Sequence, residues 1–352
     1  MKFLISAAGT GGHVFPALEF GKECIKNNHE VIWIGTKTGI EKRVVPNNIK
    51  LLTIPMRGFR GKNLILKINS LIGLIVSIFK SIYYLQKNKI DYVVCFGGYI
   101  SLPVGLSAWI CRKPLFLHEQ NAIMGTSNNA LRKFSKIIFL GFSINEPLTQ
   151  KMMLVGNPIK QSKESSSASE KHEPLRVYVT GGSQGSEFIN KNIPIALNLL
   201  NIPLEVRHQS GNGKSEGVME LYSSNISVEV EEFYDSPHEE ILWSDFIISR
   251  AGALSLSEAI TLKRGSVIIP LPSAIDNHQL LNAIYIMDLD MGLMHEESES
   301  LESLSKKIQK VIENKLYEQW SNQECNLDHF QAARRMLHCS DFRRRFKSRS
   351  HS

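Results

Sequence analysis

The sequence has few cysteines, and their spacing fits neither disulfide frameworks nor zinc sites. This excludes the small proteins that depend on disulfides or zinc for their stability. Five cysteines in 352 residues show neither a C-x-x-C pair nor the spacing of metal ligands, so we expect reduced thiols in a reducing compartment. We also expect no secretory leader, because Met1 and Lys2 run directly into an apolar strand. The length instead favours two globular domains with ordinary cores.

The common nucleotide-binding motifs are missing as well. Residues 9–12 (GTGG) do not form G-x-G-x-x-G, and the next strand ends at Gly35 and Thr36 without an acid for a ribose. These two features argue against a dinucleotide dehydrogenase. Residues 213–215 (GKS) would need a glycine in place of His208 to complete a P-loop. The D-x-D string at 288–290 falls at a predicted helix end, so we expect no metal and no cofactor.

No apolar run is long enough to span a membrane. The segment at 64–85 reads LILKINSLIGLIVSIFKSIYYL, and Lys67 and Lys80 leave only 12 uncharged residues between them. A spanning helix needs about 20 apolar residues. The pattern predicts a long helix with one face in the core and another near lipid, or else a buried scaffold helix. Its basic neighbours are Arg57, Arg60, Lys62, Lys67, Lys80, Lys87 and Lys89.

Acidic residues are scarce in the first half of the chain. Residues 1–160 contain 21 Lys and Arg against 7 Asp and Glu, whereas residues 161–352 contain 20 against 27. The first half is therefore expected to face something anionic, such as a membrane surface, a phosphate or a nucleic acid. The alternative is that both halves have ordinary solvated surfaces.

Strands and helices alternate along both halves. Each half begins with an apolar strand and a glycine turn, at residues 2–12 and 175–186. A strand that ends in glycines and opens a helix brings backbone N–H groups close to an anion. The alternation predicts two Rossmann-like α/β domains, each a doubly wound parallel sheet, with a cleft between them.

The composition also suggests where these domains begin and end. We predict an N-terminal domain at 1–160, a serine-rich linker or surface loop at 161–174, a C-terminal domain at 175–340 and a basic, disordered tail at 341–352. The last helix could pack back on the N-terminal domain. Helices are expected at about 15–27, 255–263 and 316–338, among others.

Polar clusters follow several of the predicted strands. HEQN at 118–121 and DNHQ at 276–279 suit the ligand-facing edge of an α/β sheet. Glu258 could accept hydrogen bonds from both ribose hydroxyls, and the turns at 181–183 and 251–255 could hold a diphosphate at helix starts. The structural alternatives are a helix cap at Asp276, a surface acid at Glu258 and turns that only connect elements.

Eight strings, in order along the chain, resemble the MurG family of peptidoglycan N-acetylglucosaminyltransferases. They cover about residues 1–335, and such ordered coverage is more specific than any single motif. The strings are GTGGHVFPA (9–17), FGGYISLP (96–103), HEQNAIMG (118–125), VGNPI (155–159), GGSQGS (181–186), HQSG (208–211), SRAGALSLSEA (249–259) and DNHQLLNA (276–283).

The resemblance implies a GT-B fold and an assignment of residues to two substrates. The N-terminal domain would hold a lipid acceptor and the C-terminal domain would hold UDP-N-acetylglucosamine. The implied acceptor-side residues are Thr10, Gly11, Gly12 and Asn121, and the implied donor-side residues are Ser183, Tyr234, Ala253, Leu254, Ser255, Leu256, Ser257, Glu258 and Gln279. Lys160, implied to contact a diphosphate, stands where the family often has arginine, and lysine keeps the positive charge but lacks the bidentate fork of a guanidinium.

The implied reaction is an inverting transfer of N-acetylglucosamine to the C4 hydroxyl of undecaprenyl-diphosphate-linked muramoyl-pentapeptide, which converts lipid I to lipid II. The attacking hydroxyl needs a base, and we rank His13 first, Glu119 second and His118 third. The alternative for His13 is a capping or substrate-orienting role.

Two other functions remain open at this stage. One is a GT-B enzyme such as a UDP-N-acetylglucosamine 2-epimerase, and the other is a non-catalytic membrane-binding protein. The expected partners are UDP-N-acetylglucosamine, lipid I, an anionic membrane surface and the cell-wall and division machinery, with no nucleic acid. The expected location is the cytoplasmic face of the bacterial inner membrane, as a peripheral protein.

Overall fold

The computed structural model describes residues 1–56, 64–160, 172–324 and 327–339, with the backbone alone for 64–70. The chain divides into two units, one made of residues 1–160 with the C-terminal segment from His329, the other ending at Asp328. Most of the expected linker at 161–174 and the expected basic tail at 341–352 lie outside the described residues, as do Arg57, Arg60 and Lys62.

The first unit is built on a seven-stranded, wholly parallel sheet with the order β3-β2-β1-β4-β5-β6-β7. Its strands are β1 (Lys2–Ser6), β2 (Glu30–Gly35), β3 (Lys50–Thr53), β4 (Tyr92–Cys95), β5 (Leu115–Glu119), β6 (Ile137–Leu140) and β7 (Met152–Leu154). Its first helices are α1 (Gly11–Lys26), α2 (Glu41–Val44), α3 (Leu64–Lys87), α4 (Ser101–Ile110) and α5 (Thr126–Leu131).

Both faces of this sheet are buried, and β1 shows why its sequence is almost continuously apolar. Phe3 and Ile5 point into one core cluster together with Trp33, whereas Leu4 points into the opposite cluster. Alternate residues of a strand face opposite sides, so a strand covered by helices on both sides needs apolar residues at every position.

The second unit repeats the design with a six-stranded parallel sheet in the order β10-β9-β8-β11-β12-β13. Its strands are β8 (Leu175–Thr180), β9 (Leu204–Gln209), β10 (Ile226–Glu231), β11 (Phe246–Ser249), β12 (Ser266–Ile268) and β13 (Gly292–Met294). Its helices are α6 (Glu187–Asn198), α7 (Ser215–Met219), α8 (Pro237–Trp243), α9 (Ala253–Thr261), α10 (His278–Asp288), α11 (Leu301–Glu313) and α12 (Leu316–Asn322). The predicted class of two doubly wound parallel-sheet domains is confirmed.

The end of the chain departs from the predicted helix at 316–338. After α12 the chain forms a 3-10 turn at His329–Gln331 and then the short helix α13 (Ala332–Leu337). This last helix packs against α1 in the first unit, and Met336 and Leu337 join the core cluster of Phe3. The one predicted helix is therefore two separate elements, because its apolar residues are divided between two units.

In each sheet the first strand lies at the centre, where the chain order reverses. β1 sits between β2 and β4, and β8 sits between β9 and β11. Ligands of open α/β sheets bind outside the carboxyl ends of the strands at such a reversal. The loops that follow β1 and β4, and those that follow β8 and β11, are therefore the places to look for a site.

Candidate active site

In the second unit, the loop after β8 is a glycine turn that opens directly into α6. Gly182 and Gly185 have φ of 82° and 69°, in the left-handed region that favours glycine. A Cβ at Gly185 would lie 2.0 Å from the carbonyl oxygen of Ser210, so no side chain fits there. Ser186 caps the helix, since its hydroxyl accepts a hydrogen bond from the Ile189 N–H at 3.3 Å.

A cavity of about 710 Å³ lies at this turn. The start of α9 contributes Gly252 and Ser255 to the same cavity, so two helix N-termini open into it. Helix N-termini present unpaired N–H groups and a positive dipole end, which together favour a diphosphate. The lining also includes Thr180, Ser183, Gln184, Glu187, Lys191, Arg250, Leu271, Gln279 and Glu297.

Helix α9 begins two residues earlier than predicted from sequence. The helix begins at Ala253 and not at the expected residue 255, and Gly252 is its N-cap residue. Ala253, Leu254 and Ser255 therefore form the first turn, whose N–H groups have no partner within the helix. The shift strengthens the case for backbone contacts from this segment.

Arg250 is a cavity residue that the sequence analysis did not single out. Its guanidinium donates to the hydroxyl of Ser186 at 2.6 Å, and Nη1 lies 2.5 Å from a carboxylate oxygen of Glu297. Nη1 also donates to the carbonyl of Ile269 at 3.3 Å. Arg250 thus ties the α6 cap to the loop after β12. It lies inside the SRAGALSLSEA string, which was the available signal.

Gln279 is held in one orientation by the backbone. Its side-chain oxygen accepts from the Ala251 N–H at 3.2 Å and from the Leu271 N–H at 3.0 Å. Two donors on one atom identify that atom as the oxygen of the amide. Both lone pairs of the oxygen are thereby occupied, so the NH₂ group is the part of Gln279 that can contact a ligand in the cavity.

The other predicted donor residues are placed unevenly. Ser183 and Ser255 line the cavity with Gln279, whereas Ala253, Leu254, Leu256, Ser257, Glu258 and Tyr234 are not among its lining residues. Leu256 and Ser257 are buried, and the Ser257 hydroxyl donates to the carbonyl of Ala253 at 2.8 Å. Their contribution is therefore to the packing of α9 beneath its first turn.

Tyr234 lies near the same sheet but is committed to other contacts. Its hydroxyl donates to Glu229 at 3.2 Å, and its N–H donates to the side-chain oxygen of Gln209 at 3.2 Å. Burial, followed by the negative charge of Glu229, raises the pKa of the Tyr234 hydroxyl above its usual value. Tyr234 is therefore a neutral hydrogen-bond donor.

In the first unit, the glycine turn after β1 opens α1 at Gly11, earlier than the predicted start at residue 15. This places His13 in the first helical turn, where Nδ1 lies 2.9 Å from the hydroxyl of Thr10. A Cβ at Gly97 would lie 3.1 Å from His13 Nε2. Gly97 and Gly98, with φ of 84° and 72°, form the turn after β4 and leave room for the imidazole ring.

Glu119 is buried at the end of β5 and organises the loop that follows. Its carboxylate accepts from the Gly125 N–H and from Asn128 Nδ2 at 2.9 Å each, and from the N–H and Nδ2 of Asn121 at 3.2 Å each. Burial raises the pKa of Glu119, and these four hydrogen bonds oppose the rise. The predicted acceptor residue Asn121 is thus held by the second candidate base.

The third candidate base and the predicted diphosphate contact have different surroundings. His118, the third candidate base, is fully buried, and burial lowers its pKa to about 4. Its Nε2 lies 3.3 Å from the carbonyl oxygen of Gly156. Lys160 is exposed at the end of the unit.

Two further features bear on substrate chemistry. Across the described ranges, no group of three or more His, Cys, Asp and Glu side chains is arranged to hold a metal ion. In the same ranges no helix is both long and apolar enough to cross a bilayer. The D-x-D aspartates are exposed, and Asp290 has a left-handed φ of 54° where α10 ends.

Comparison with known proteins adds family and structural relatives. Family models match at residues 3–140 (Glycosyltransferase family 28 N-terminal domain) and at 176–336 (Glycosyltransferase family 28 C-terminal domain). The UDP-N-acetylglucosamine--N-acetylmuramyl-(pentapeptide) pyrophosphoryl-undecaprenol N-acetylglucosamine transferase of Acinetobacter baumannii is 33% identical over 307 residues, 84% of each chain. The protein of that name from Coxiella burnetii is 34% identical over 310 residues, 86% of this chain and 87% of its own.

Solved structures agree with these matches. The crystal structure of Acinetobacter baumannii MurG superposes with a TM-score of 0.81 and 29% identity, covering 96% of this chain and 98% of that one. The glycosyltransferase of kitacinnamycin superposes with a TM-score of 0.75 over 98% of both chains at 12% identity, which indicates a shared fold alone.

Proposed function

The chain belongs to the MurG family within glycosyltransferase family 28, and from this membership we propose a specific reaction. It transfers N-acetylglucosamine from UDP-N-acetylglucosamine to the C4 hydroxyl of the muramoyl-pentapeptide on undecaprenyl diphosphate, converting lipid I to lipid II. The fold is the predicted GT-B class of two Rossmann-like domains. The observation that carries the proposal is the cavity of the second unit, where two helix N-termini and an oriented glutamine converge.

The donor's diphosphate binds at the two helix N-termini of this cavity. Charge builds up on the diphosphate as the bond between the sugar C1 and the phosphate oxygen breaks. Backbone N–H groups of the 181–186 turn and the first turn of α9 can stabilise that charge without rearranging. Ser183 and Ser255 add hydroxyl donors at the same two helix starts.

Gln279 recognises the sugar through its NH₂ group, since its oxygen is occupied by the Ala251 and Leu271 N–H groups. It therefore donates to sugar oxygens and does not accept from them. Tyr234, Glu258 and Lys160 stay predictions for contacts with other parts of the substrates, Glu258 with the ribose and Lys160 with a diphosphate.

His13 is the general base of the proposal. With Nδ1–H donating to the Thr10 hydroxyl, Nε2 carries the lone pair that can accept a proton, and the turn at Gly97 leaves room for the ring. The C4 oxygen forms a bond to the sugar C1, the C1–phosphate oxygen bond breaks, UDP leaves with the electron pair, and Nε2 takes the hydroxyl proton. Glu119 supports this step by holding Asn121 and its loop.

The direct test is transfer between the two proposed substrates. Purified protein is mixed with labelled UDP-N-acetylglucosamine and a lipid I analogue, and the label is followed into the lipid. We expect transfer with UDP release, unchanged by a chelator. Interconversion of the UDP-sugar without acceptor would instead identify the epimerase alternative. Vesicle binding without transfer and without interconversion of the UDP-sugar would identify the non-catalytic alternative.

We further propose that the first unit docks on an anionic membrane surface through α3 and the end of α4. Apolar side chains recur every three to four residues along one side of α3 and are about half exposed. They are Leu71, Ile72, Ile75, Val76, Phe79 and Tyr83. Exposed apolar surface of this extent marks an interaction site.

Helix α4, which packs against α3, continues this surface. It ends with Trp109 and Ile110, which are 54% and 51% exposed, and Trp109 packs against Phe134 at a centroid distance of 4.8 Å. Lys133 lies 5.0 Å from the Phe134 ring, and Lys87 lies 5.2 Å from the Tyr83 ring. Apolar and aromatic side chains bordered by lysines suit the boundary between acyl chains and anionic headgroups. The proposed location is therefore peripheral, on the cytoplasmic face of the inner membrane.

Vesicle binding tests this surface. We expect Ile75→Ser with Phe79→Ser, and separately Lys80→Glu with Lys87→Glu, to weaken binding to phosphatidylglycerol vesicles by about tenfold or more, since each surface lysine contributes roughly 1 kcal/mol. The matched control is Lys306→Glu with Lys310→Glu on α11 of the second unit. Equal binding by all variants would contradict the proposal, and a change in oligomeric state instead would assign the surface to a second copy of the chain.

A further inference from the structure

A buried carboxylate lies beneath the first glycine turn. Glu41, the first residue of α2, is 0% exposed to solvent. Strand β2 itself ends at Gly35 without an acid. Glu41 lies six residues further along the chain, and its side chain returns to the end of that strand. Charged residues are almost never fully buried unless they are paired or hydrogen-bonded. The position of this carboxylate therefore calls for an explanation.

Both oxygens of the Glu41 carboxylate have hydrogen-bond donors. Oε1 accepts from the Thr36 N–H at 2.6 Å and from the Thr36 hydroxyl at 2.7 Å. Oε2 accepts from the N–H of Gly9 at 3.4 Å. The Thr36 hydroxyl in turn accepts from the Gly39 N–H at 3.1 Å, so its own hydrogen is directed to Glu41. One carboxylate thereby connects the loop after β2 to the turn after β1.

Two glycines leave the space that the carboxylate occupies. A Cβ at Gly39 would lie 2.0 Å from Oε2, and a Cβ at Gly35 would lie 2.6 Å from the Glu41 Cγ. Real Cβ atoms do not approach other atoms so closely, so any side chain at either position would displace Glu41. Glycine at these two positions therefore provides the space in which the Glu41 side chain is buried.

Gly9 begins the turn that carries the candidate base. Its φ of 94° is in the region open to glycine, and Thr10 follows it directly. The Thr10 carbonyl accepts from the N–H of His13 at 3.2 Å, while its hydroxyl lies 2.9 Å from His13 Nδ1. The position of the Gly9 N–H therefore sets where Thr10, and with it the imidazole, is held.

We propose that Glu41 is a positioning residue for the transfer reaction: it holds the Gly9 N–H so that Thr10 and His13 keep their places at the start of α1. This inference rests on the proposed function, because it takes His13 as the base. Misplacing a catalytic group by about 1 Å reduces turnover on the order of 100-fold. Since the donor cavity belongs to the second unit, its affinity for UDP should be unaffected by changes at Glu41.

The test measures kcat, the KM for the lipid acceptor and the Kd for UDP in Glu41→Gln and Glu41→Ala. Glutamine can accept from Thr36 but then turns an NH₂ group toward the Gly9 N–H. We expect kcat to fall about tenfold in Glu41→Gln and about 100-fold in Glu41→Ala, from the geometric sensitivity above, with Kd for UDP unchanged. Asp245→Asn is the matched control, because this buried carboxylate accepts the Arg176 N–H at 2.8 Å in the second unit.

A second measurement separates positioning from general stability. Glu41→Gln is combined with His13→Ala, and we expect little further loss of kcat, because the group that Glu41 positions is already absent. An equal loss in both backgrounds, a loss of UDP affinity matching the loss of kcat, or wild-type turnover in both single variants would each overturn the proposal. Absence of transfer by the wild-type protein would instead refute the proposed function.

Discussion

The two glycine turns of the chain have the same place in the fold, but different side chains lie next to them. Each follows the central strand of a parallel sheet and opens a helix at the point where strand order reverses. In the second unit the turn borders a cavity lined by Lys191, by Glu187 and by the ion pair of Arg250 with Glu297. In the first unit the corresponding turn lies over the buried carboxylate of Glu41 and beside the imidazole of His13.

This difference separates two chemical tasks that the backbone alone does not distinguish. Backbone N–H groups at a helix start stabilise an anion, and cations beside them strengthen that effect. A carboxylate beneath the turn opposes anion binding but suits a site where a proton leaves a neutral hydroxyl. The proposed function therefore places the leaving diphosphate at the turn of the second unit and proton transfer at the turn of the first.

The largest test of this comparison is removal of the proposed base. We expect His13→Ala to lower kcat by about 100- to 10,000-fold, the usual contribution of general base catalysis. The Kd for UDP should stay within about twofold, because the described residues that line the donor cavity all belong to the second unit. Single-turnover transfer and isothermal titration with UDP measure the two quantities.

Glu19→Ala is the control for His13→Ala, since Glu19 lies on the same helix and forms an ion pair with Lys22 at 2.6 Å. Unchanged turnover in His13→Ala would assign His13 to a capping role and move the base to Glu119. Glu119→Gln would then be expected to lose turnover while the loop after β5, which the Glu119 carboxylate holds, keeps its conformation.

A smaller effect is expected at Gln279 in the other unit. Gln279→Glu keeps an oxygen for the Ala251 and Leu271 N–H groups but replaces the NH₂ donors with a second, negative oxygen beside the diphosphate. Leaving a buried hydrogen-bonding partner unpaired costs about 2 kcal/mol, so we expect the KM for UDP-N-acetylglucosamine to rise about 30-fold. Initial-rate kinetics at saturating acceptor measure this change, and an unaltered KM would contradict the orientation assigned to the amide.

Sequence was enough to predict the fold because strand and helix signals repeat along the chain. The two parallel sheets, both glycine turns and the opening strand Leu175–Thr180 follow from short apolar runs that alternate with helical segments, whereas the short edge strands β7 and β13 were not predicted. Helix starts were predicted too late at Gly11, where two successive glycines have low helix propensity, and at Ala253, which directly follows Gly252.

The site was harder to predict than the fold. Arg250 and Glu41 are separated in sequence from the turns that they support, and their contacts arise only when loops from different strands meet at the same sheet edge. Ser257 and Leu256 matched the family string but serve the packing of α9, which is a matter of helix face and not of motif. A matching sequence string identifies the segment that forms a site, whereas the fold of that segment determines which of its side chains can contact a ligand.

The smallest predicted effect concerns one buried histidine in each unit. Burial lowers the pKa of His118 to about 4 and that of His208 to about 3, from an ordinary value of 6.5. The unfolded chain therefore takes up protons first as pH falls below 6.5, so the free energy of unfolding decreases with acidification. Between pH 7.5 and 6.0 each histidine accounts for at most about 1 kcal/mol of this loss.

Chemical denaturation at the two pH values, followed by signals from each unit, measures this loss. His118→Gln should reduce the pH dependence of the first unit only, and His208→Gln that of the second, even though each variant is less stable overall. His208 is the cleaner case, because its ring contacts Tyr222 at 2.8 Å and Asn190 at 3.2 Å, which glutamine can partly replace. A pH dependence that is unchanged in both variants would mean that these rings titrate equally in the folded and unfolded chain.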